Sequence, residues 1–326
     1  MITENKTLRW LESQNRDMNE IHHSADTGLC NRISYWTLAY FLTEKNNYEY
    51  TIYVGESYWP ELSELISLPN TKIFNEKKND SAEIKKSNLK QDSVKLDETF
   101  LLECLSKDNF SLNGNHFYSS FSFDFLTKFG DGEAIENKVS SIKLQDGELN
   151  DMITNLTKDM IGIHIRRGRG VIYDTEVQTL PEKVQRGYVD YRGLEGAGTA
   201  DFYIYKFIRD DVYFNIIDSF IKENPNQKFY ISHDLPDDIF DYYLEKYPNN
   251  LYTKKYFYDF IKDRYKTPIH HVKNVVDLFS LSNTKFVLKH PLSTWSSFAW
   301  TYNDRKGCYV TDDIQHILSQ YLKISN

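Results

Sequence analysis

Two rhythms of apolar and polar residues alternate along this chain. Short apolar runs with a period of two suit β-strands, and apolar residues recurring every three or four positions suit amphipathic helices. The second half shows both clearly. "MIGIHI" (160–165) predicts a strand, "VYFNIIDSFIKENP" (212–225) a helix stopped by proline, and "KFYIS" (228–232) a strand. "PDDIFDYYLEKYP" (236–248) predicts a helix, "LYTKK" (251–255) a short strand, and "KNVVDLFSLSN" (273–283) a helix. "KFVLK" (285–289) predicts a strand, and "STWSSFAWTYN" (293–303) starts another helix. Alternating strands and helices predict an α/β fold with a parallel, doubly wound sheet, whose ligands bind beyond the carboxyl ends of the strands.

The first half alternates less regularly. "RISYWTLAYFLTEKN" (32–46) and "WPELSELISL" (59–68) predict helices, and "YTIYVG" (50–55) and "TKIF" (71–74) predict strands. Residues 75–98 are polar and lysine-rich, and read either as a solvated loop or as a flap over an acceptor. Residues 128–158 mix Gly, Asn and charge, as a junction with a connecting helix would. Two domains follow, 1–150 and 151–326, a division that 326 residues with 40% hydrophobic content can sustain.

Composition narrows the function. With 47 acidic against 39 basic residues and a net charge of −8, the chain lacks the basic footprint of a nucleic-acid binder, so an RNA-binding role through one basic loop is disfavoured. Three scattered cysteines (Cys30, Cys104, Cys308) suggest neither a disulfide framework nor a structural zinc site. No apolar run reaches the ~18 residues of a membrane span or resembles a signal peptide, so a cytoplasmic location is expected. A lipid-linked acceptor would then be met by peripheral contact.

Against that acidic background, "IGIHIRRGRGVIYD" (161–174) stands out. Ile161, Ile163 and Ile165 share one strand face, and Gly162, His164 and Arg166 the other. An unpaired guanidinium is too costly inside a buried strand, so Arg166 and Arg167 belong in the crevice beyond its end. There their planar forks either match phosphate oxygens or pair with structural acids. Ser293, Thr294, Ser296 and Ser297 gather at a helix start, as an anion site or as a simple cap. "FYISHDLPDD" brings Asp234 to the same carboxyl edge, to meet a nucleoside or to cap the next helix. "GLCNR" places Asn31 and Arg32 in a glycine-containing turn of the first half.

In this order, HxRRG at a strand end, a strand-terminal (S/T)xD and a helix–strand–Ser/Thr-rich loop resemble the GT-B fucosyltransferases that use GDP-fucose. These include the nodulation and core α1,6-, xyloglucan and protein O-fucosyltransferases. "VVDLFSLSNTKFVLKHPLSTWSSFAW" and "GLCNR" are the other stretches that carry the resemblance, which covers about half of the chain, mostly 160–305. It implies two Rossmann-like domains facing across a cleft: an acceptor-side domain 1–150 with the insertion near 75–98, and a GDP-sugar domain 151–326. The implied reaction is inverting transfer of L-fucose from GDP-fucose to a glycan hydroxyl, without a metal and with no cofactor beyond the donor. No D-x-D triplet occurs in the sequence.

Carried over residue by residue, the resemblance implies that Arg166 and Arg167 bind the donor pyrophosphate, Arg166 being the more critical, with His164 nearby. Thr294, Ser296 and Ser297 would hold the β-phosphate, Asp234 would lie by the nucleoside, and Asn31 and Arg32 would reach in from the facing domain. A base for the acceptor hydroxyl falls at Asp174, eight residues after Arg166, with Glu176 as the fallback; a solvated loop carboxylate is the plain alternative. Relatives commonly read HxRRGD, whereas this chain has Arg169 at the aspartate position. That departure leaves open a different GDP-sugar, or a relative that binds nucleotide or glycan without turnover.

Overall fold

The structure is a computed structural model, and it describes residues 20–23, 29, 30, 33, 50–54, 62–67, 71–74, 139–166, 208, 210–235, 237–290 and 293–325. The predicted helix at 32–46, apart from Ile33, and the insertion at 75–98 lie outside these residues. The chain divides into two compact units, residues 1–149 with 263–272, and residues 150–262 with 273–326.

In the first unit β1 (Glu20–His23), β2 (Tyr50–Val54) and β4 (Thr71–Phe74) form a three-stranded parallel sheet in the order β1-β2-β4. The helix expected over 59–68 is described only as α1 (Leu62–Leu65), and the chain then turns extended as β3 (Ile66–Ser67). Pairing overrides helical periodicity here. Ile66, β-branched and buried, lies antiparallel to Leu144 of β5 (Lys143–Leu144), and the Gln145 amide donates to the Leu65 carbonyl.

Residues 263–272 are fastened to this unit by carboxylates. Arg264 bonds Asp146 through Nε (2.6 Å) and Nη2 (3.3 Å), and Glu148 through Nη2 (2.7 Å); Tyr265 donates its hydroxyl to Asp146 at 2.7 Å. Glu64 accepts from the amides of Lys266 (3.1 Å) and Thr267 (3.0 Å) and from the Thr267 hydroxyl (2.8 Å). The junction region also supplies α2 (Gly147–Thr157), whose Leu149 amide donates to the Asp146 side chain.

The second unit is built on a five-stranded, wholly parallel sheet of β6 (Ile161–Ile165), β7 (Phe229–His233), β8 (Leu251–Tyr252), β9 (Phe286–Lys289) and β10 (Gly307–Tyr309). Their order across the sheet is β10-β9-β6-β7-β8. The chain therefore moves outward from β6 through β7 to β8, then returns to the other side of β6 for β9 and β10.

Helices cover both faces. Ile161, Ile163 and Ile165 pack with Phe229, Ile231, Phe286 and Leu288 against α3 (Asp210–Glu223), α4 (Asp237–Lys246) and α8 (Ile314–Ser325). On the opposite face lie α6 (Ile269–Ser282) and α7 (Thr294–Tyr302). Gly162 is required there, because a Cβ would stand 2.5 Å from Thr284 Oγ1 and 2.8 Å from Leu281 Cδ1.

Most second-half predictions find their elements. "LYTKK" is strand only over its first two residues; Thr253 then caps a 3₁₀ turn (Lys254–Phe257) by accepting from the Lys255 amide, and the short α5 (Tyr258–Ile261) follows. β10 and α8 had no counterpart in the sequence reading. Among the described residues, no helix is long and apolar enough to cross a membrane.

Candidate functional site

Open parallel sheets place ligands where the strand order reverses, beyond the carboxyl ends. In this sheet the reversal falls between β6 and β9. Two of the stretches singled out from sequence end at that point: "IGIHIR" at the end of β6, and "LKHPLST" running from β9 into α7. Sequential neighbours of β6 and β9 thus frame the crevice.

Arg166 is the first residue beyond β6. Its Nη1 lies 3.7 Å from Asp234 Oδ2, and the two side chains are 36% and 31% exposed. The Asp234 amide donates to the Ile165 carbonyl at 3.4 Å, which brings the residue after β7 beside the end of β6. The predicted neighbours Arg166 and Asp234 are thus together, as partners of one another.

His164 lies inside. It is 3% exposed, its ring meets that of His290 edge-on with centroids 6.0 Å apart, and its Nδ1 has no hydrogen-bond partner. Burial, followed by the positive surroundings of His290, Arg166, His233 and Lys254, holds its pKa well below the ordinary histidine value, so His164 is neutral near pH 7. His164 thus lies among basic groups, of which Arg166 and Lys254 are paired with Asp234 and Asp277.

Ser296, in the first turn of α7, accepts from the His290 amide (3.1 Å) and donates to the His290 carbonyl (3.2 Å), which ties that turn to the residue after β9. Ser296 and Ser297 are both buried, so Ser296 spends its hydroxyl on this clip. Thr294, half-buried, is the first residue of α7. Ser293 occupies the N-cap position without a side-chain capping bond. The first-turn amides of a helix have no intrahelical acceptor, and the helix dipole makes that end electropositive.

Sequence reasoning did not reach the polar network beneath this turn. Trp295 Nε1 donates to Ser232 Oγ at 2.9 Å, and Ser232 donates to Asp277 Oδ2 at 2.8 Å. Tyr230 donates to Asp277 Oδ1 at 3.0 Å, and the Lys254 ammonium lies 3.8 Å from Oδ2. Burial raises the Asp277 pKa, while Lys254, Ser232 and Tyr230 work against that shift. Burial beside this carboxylate also pushes the Tyr230 phenol well above its ordinary value. The available signal was an acid inside the apolar run "VVDLFSLS", and the shared face of Tyr230 and Ser232 in "FYIS".

Asn31, Arg32, Arg167, Asp174 and Glu176 lie outside the described residues. Among the described residues, no group of three or more His, Cys, Asp or Glu side chains is placed to hold a metal ion. The described arrangement offers a guanidinium about a third exposed, paired with Asp234 beyond β6, and helix amides without a side-chain cap at the start of α7.

No protein-family model matches the chain, and no curated protein matches it. Among solved structures the chain is similar to the NodZ α-1,6-fucosyltransferase soaked with GDP-fucose, at 10% identity over 87% of this chain and 92% of that one, with a TM-score of 0.40. It is similar to fucosyltransferase NodZ from Bradyrhizobium at 11% identity over 86% and 92%, with a TM-score of 0.39. It is also similar to POFUT1 in complex with GDP at 9% identity over 90% and 98%, with a TM-score of 0.44. Likeness this distant carries no chemistry across to this chain.

Proposed function

We propose that the chain is a GT-B glycosyltransferase that moves L-fucose from GDP-fucose to a glycan hydroxyl, with inversion and without a metal. The observation that carries this reading is the reversal of strand order between β6 and β9, flanked by Arg166 and by the uncapped start of α7. Arg166 and Arg167 would grip the diphosphate, and the first-turn amides of α7 with the Thr294 hydroxyl would hold the β-phosphate. His164 would shape the floor of the crevice, Asp234 would lie by the nucleoside, and Ser296 and Ser297 would hold the phosphate loop in shape. Asn31 and Arg32 would contribute from the first domain.

The acceptor oxygen would attack the anomeric carbon as its bond to the β-phosphate oxygen breaks. Asp174, or Glu176 in its place, would take the acceptor proton, and GDP would depart with the electron pair. Fixed cations and amides stabilise that developing charge more than they stabilise the ground state, which is what catalysis needs. Arg169, at the position where relatives carry aspartate, favours a second reading: another GDP-sugar, or binding without turnover.

Thermal unfolding and calorimetry with GDP, UDP, CMP and their sugars test the assignment. A ligand at 100 times its dissociation constant adds about 2.7 kcal/mol of stability. GDP and GDP-fucose should stabilise the chain, and release of GDP with a glycan acceptor should disappear in Arg166→Ala. Stabilisation by UDP or CMP without GDP overturns the reading.

A further inference from the structure

Helix α7 would need its first turn held rigidly if its amides are to meet an anion, yet its N-cap residue Ser293 makes no side-chain capping bond. Two other side chains do the fastening. Ser296 ties the turn to the residue after β9 through both backbone groups of His290. Trp295 ties the turn to the sheet, by donating to Ser232 on β7.

We propose that Trp295 is the positioning residue of this anion site: its indole N–H, pinned through Ser232 to Asp277, fixes the attitude of the uncapped first turn of α7. The proposal rests on the reading of that turn as the donor-phosphate site. Each link in the chain has one donor and one acceptor. The Trp295 N–H can only donate, the Ser232 hydroxyl accepts it and passes its own hydrogen to Asp277, and Asp277 accepts from Ser232 and Tyr230.

The direction of this chain is therefore determined by chemistry. The Trp295 N–H cannot accept, so the Ser232 lone pairs face the indole and its own hydrogen turns to Asp277. Lys254, 3.8 Å from the same carboxylate, supports its charge. The pin leaves the first-turn amides untouched, whereas a capping side chain would occupy one of them. An indole pin and an open anion site are thus compatible where a conventional cap and an open site are not.

Trp295→Phe keeps an aromatic ring but deletes the N–H together with part of the bulk, and Ser232→Ala deletes the acceptor while leaving the indole intact. On the 326-residue chain, calorimetric titration with GDP should show about five-fold weaker binding for each variant, the size of one net hydrogen bond. The double variant should be no weaker than Ser232→Ala alone, because the Trp295 link is already absent there. The donor KM should rise by a similar factor with the acceptor KM unchanged. Unliganded melting curves control for the fold.

Wild-type affinity in both single variants overturns the proposal, as do losses that multiply in the double variant. If the wild-type chain binds no GDP, it is the donor-site reading that falls. Hydrogen exchange at the Ser297 amide, which donates to the Ser293 carbonyl across the first turn, then decides the pin on its own in the ligand-free chain. Faster exchange in both variants supports it, and unchanged exchange overturns it.

Discussion

Arg166 faces Asp234 across 3.7 Å, with about a third of each side chain open to solvent. An ion pair this long and this wet contributes little to stability, on the order of 0–1 kcal/mol. Asp234 orients the guanidinium without consuming it, which leaves most of its five donors for a ligand.

The pair yields the first prediction. Arg166→Ala should leave the melting temperature nearly unchanged while weakening GDP binding by at least about ten-fold, since hydrogen bonds to charged groups are worth roughly 1.5–3 kcal/mol. Asp234→Asn should change stability equally little and move GDP affinity by less than Arg166→Ala. Calorimetry and thermal melts on the same preparations separate the two effects. A large loss of melting temperature in Arg166→Ala would instead mark the arginine as structural.

A second prediction concerns His164. Its folded-state pKa lies well below its unfolded value, so the unfolded chain binds the extra proton. Stability from the neutral imidazole is present above the unfolded pKa of ~6.5 and is lost as pH falls through that value towards the folded pKa, at up to about 1.4 kcal/mol per pH unit. His164→Gln removes this term. Urea melts between pH 7 and 5 should therefore give a flatter profile for the variant than for the wild type, and parallel profiles would contradict the assignment.

Two glycines supply the third. A Cβ on Gly307 would stand 2.0 Å from the Val287 carbonyl oxygen, a backbone atom of the neighbouring strand that cannot move aside alone. On Gly162 the obstacles are the side chains of Thr284 and Leu281, at 2.5 and 2.8 Å. Gly307→Ala should thus destabilise by more than Gly162→Ala, whose cost should be about 1–3 kcal/mol, as for overpacking of a core. Chemical denaturation of both variants gives the ranking directly.

These sites show how far the pattern of residues could be read. Strand β6 announced itself, because three isoleucines at alternate positions leave no other comfortable structure, and the charge at its end required a crevice. The start of helix α7 at Thr294 was legible from the Ser/Thr cluster leading into an apolar run. The roles of Ser232, Asp277 and Trp295 were not, since they belong to three elements and meet only when the sheet and its helices are assembled. Likewise α1 ends early because Ile66 finds Leu144, a pairing between residues far apart in the chain. The attachment of 263–272 to the first unit rests on Glu64 and Asp146, which nothing nearby in sequence points to.

That attachment carries the last prediction. Glu64 accepts three hydrogen bonds from Lys266 and Thr267, and Asp146 accepts from Tyr265, Leu149 and Arg264. Burial tends to raise both pKa values, but the combined hydrogen bonds and the neighbouring Lys266 and Arg264 charges lower them overall. For carboxyls lowered in the fold, the stabilising contribution is present above the unfolded pKa of about 4 and is lost as pH falls through the folded value. The clamp should hold at neutral pH and release in acid. Glu64→Ala should release the 266–267 segment at neutral pH, because the two amides lose their acceptor. Hydrogen exchange read at Lys266 and Thr267 should accelerate in the variant, by about ten-fold for a loss of ~1.4 kcal/mol of local stability, while the amides of β6 keep their wild-type rates. Equal acceleration at β6 would mean that Glu64 supports the whole chain rather than this segment.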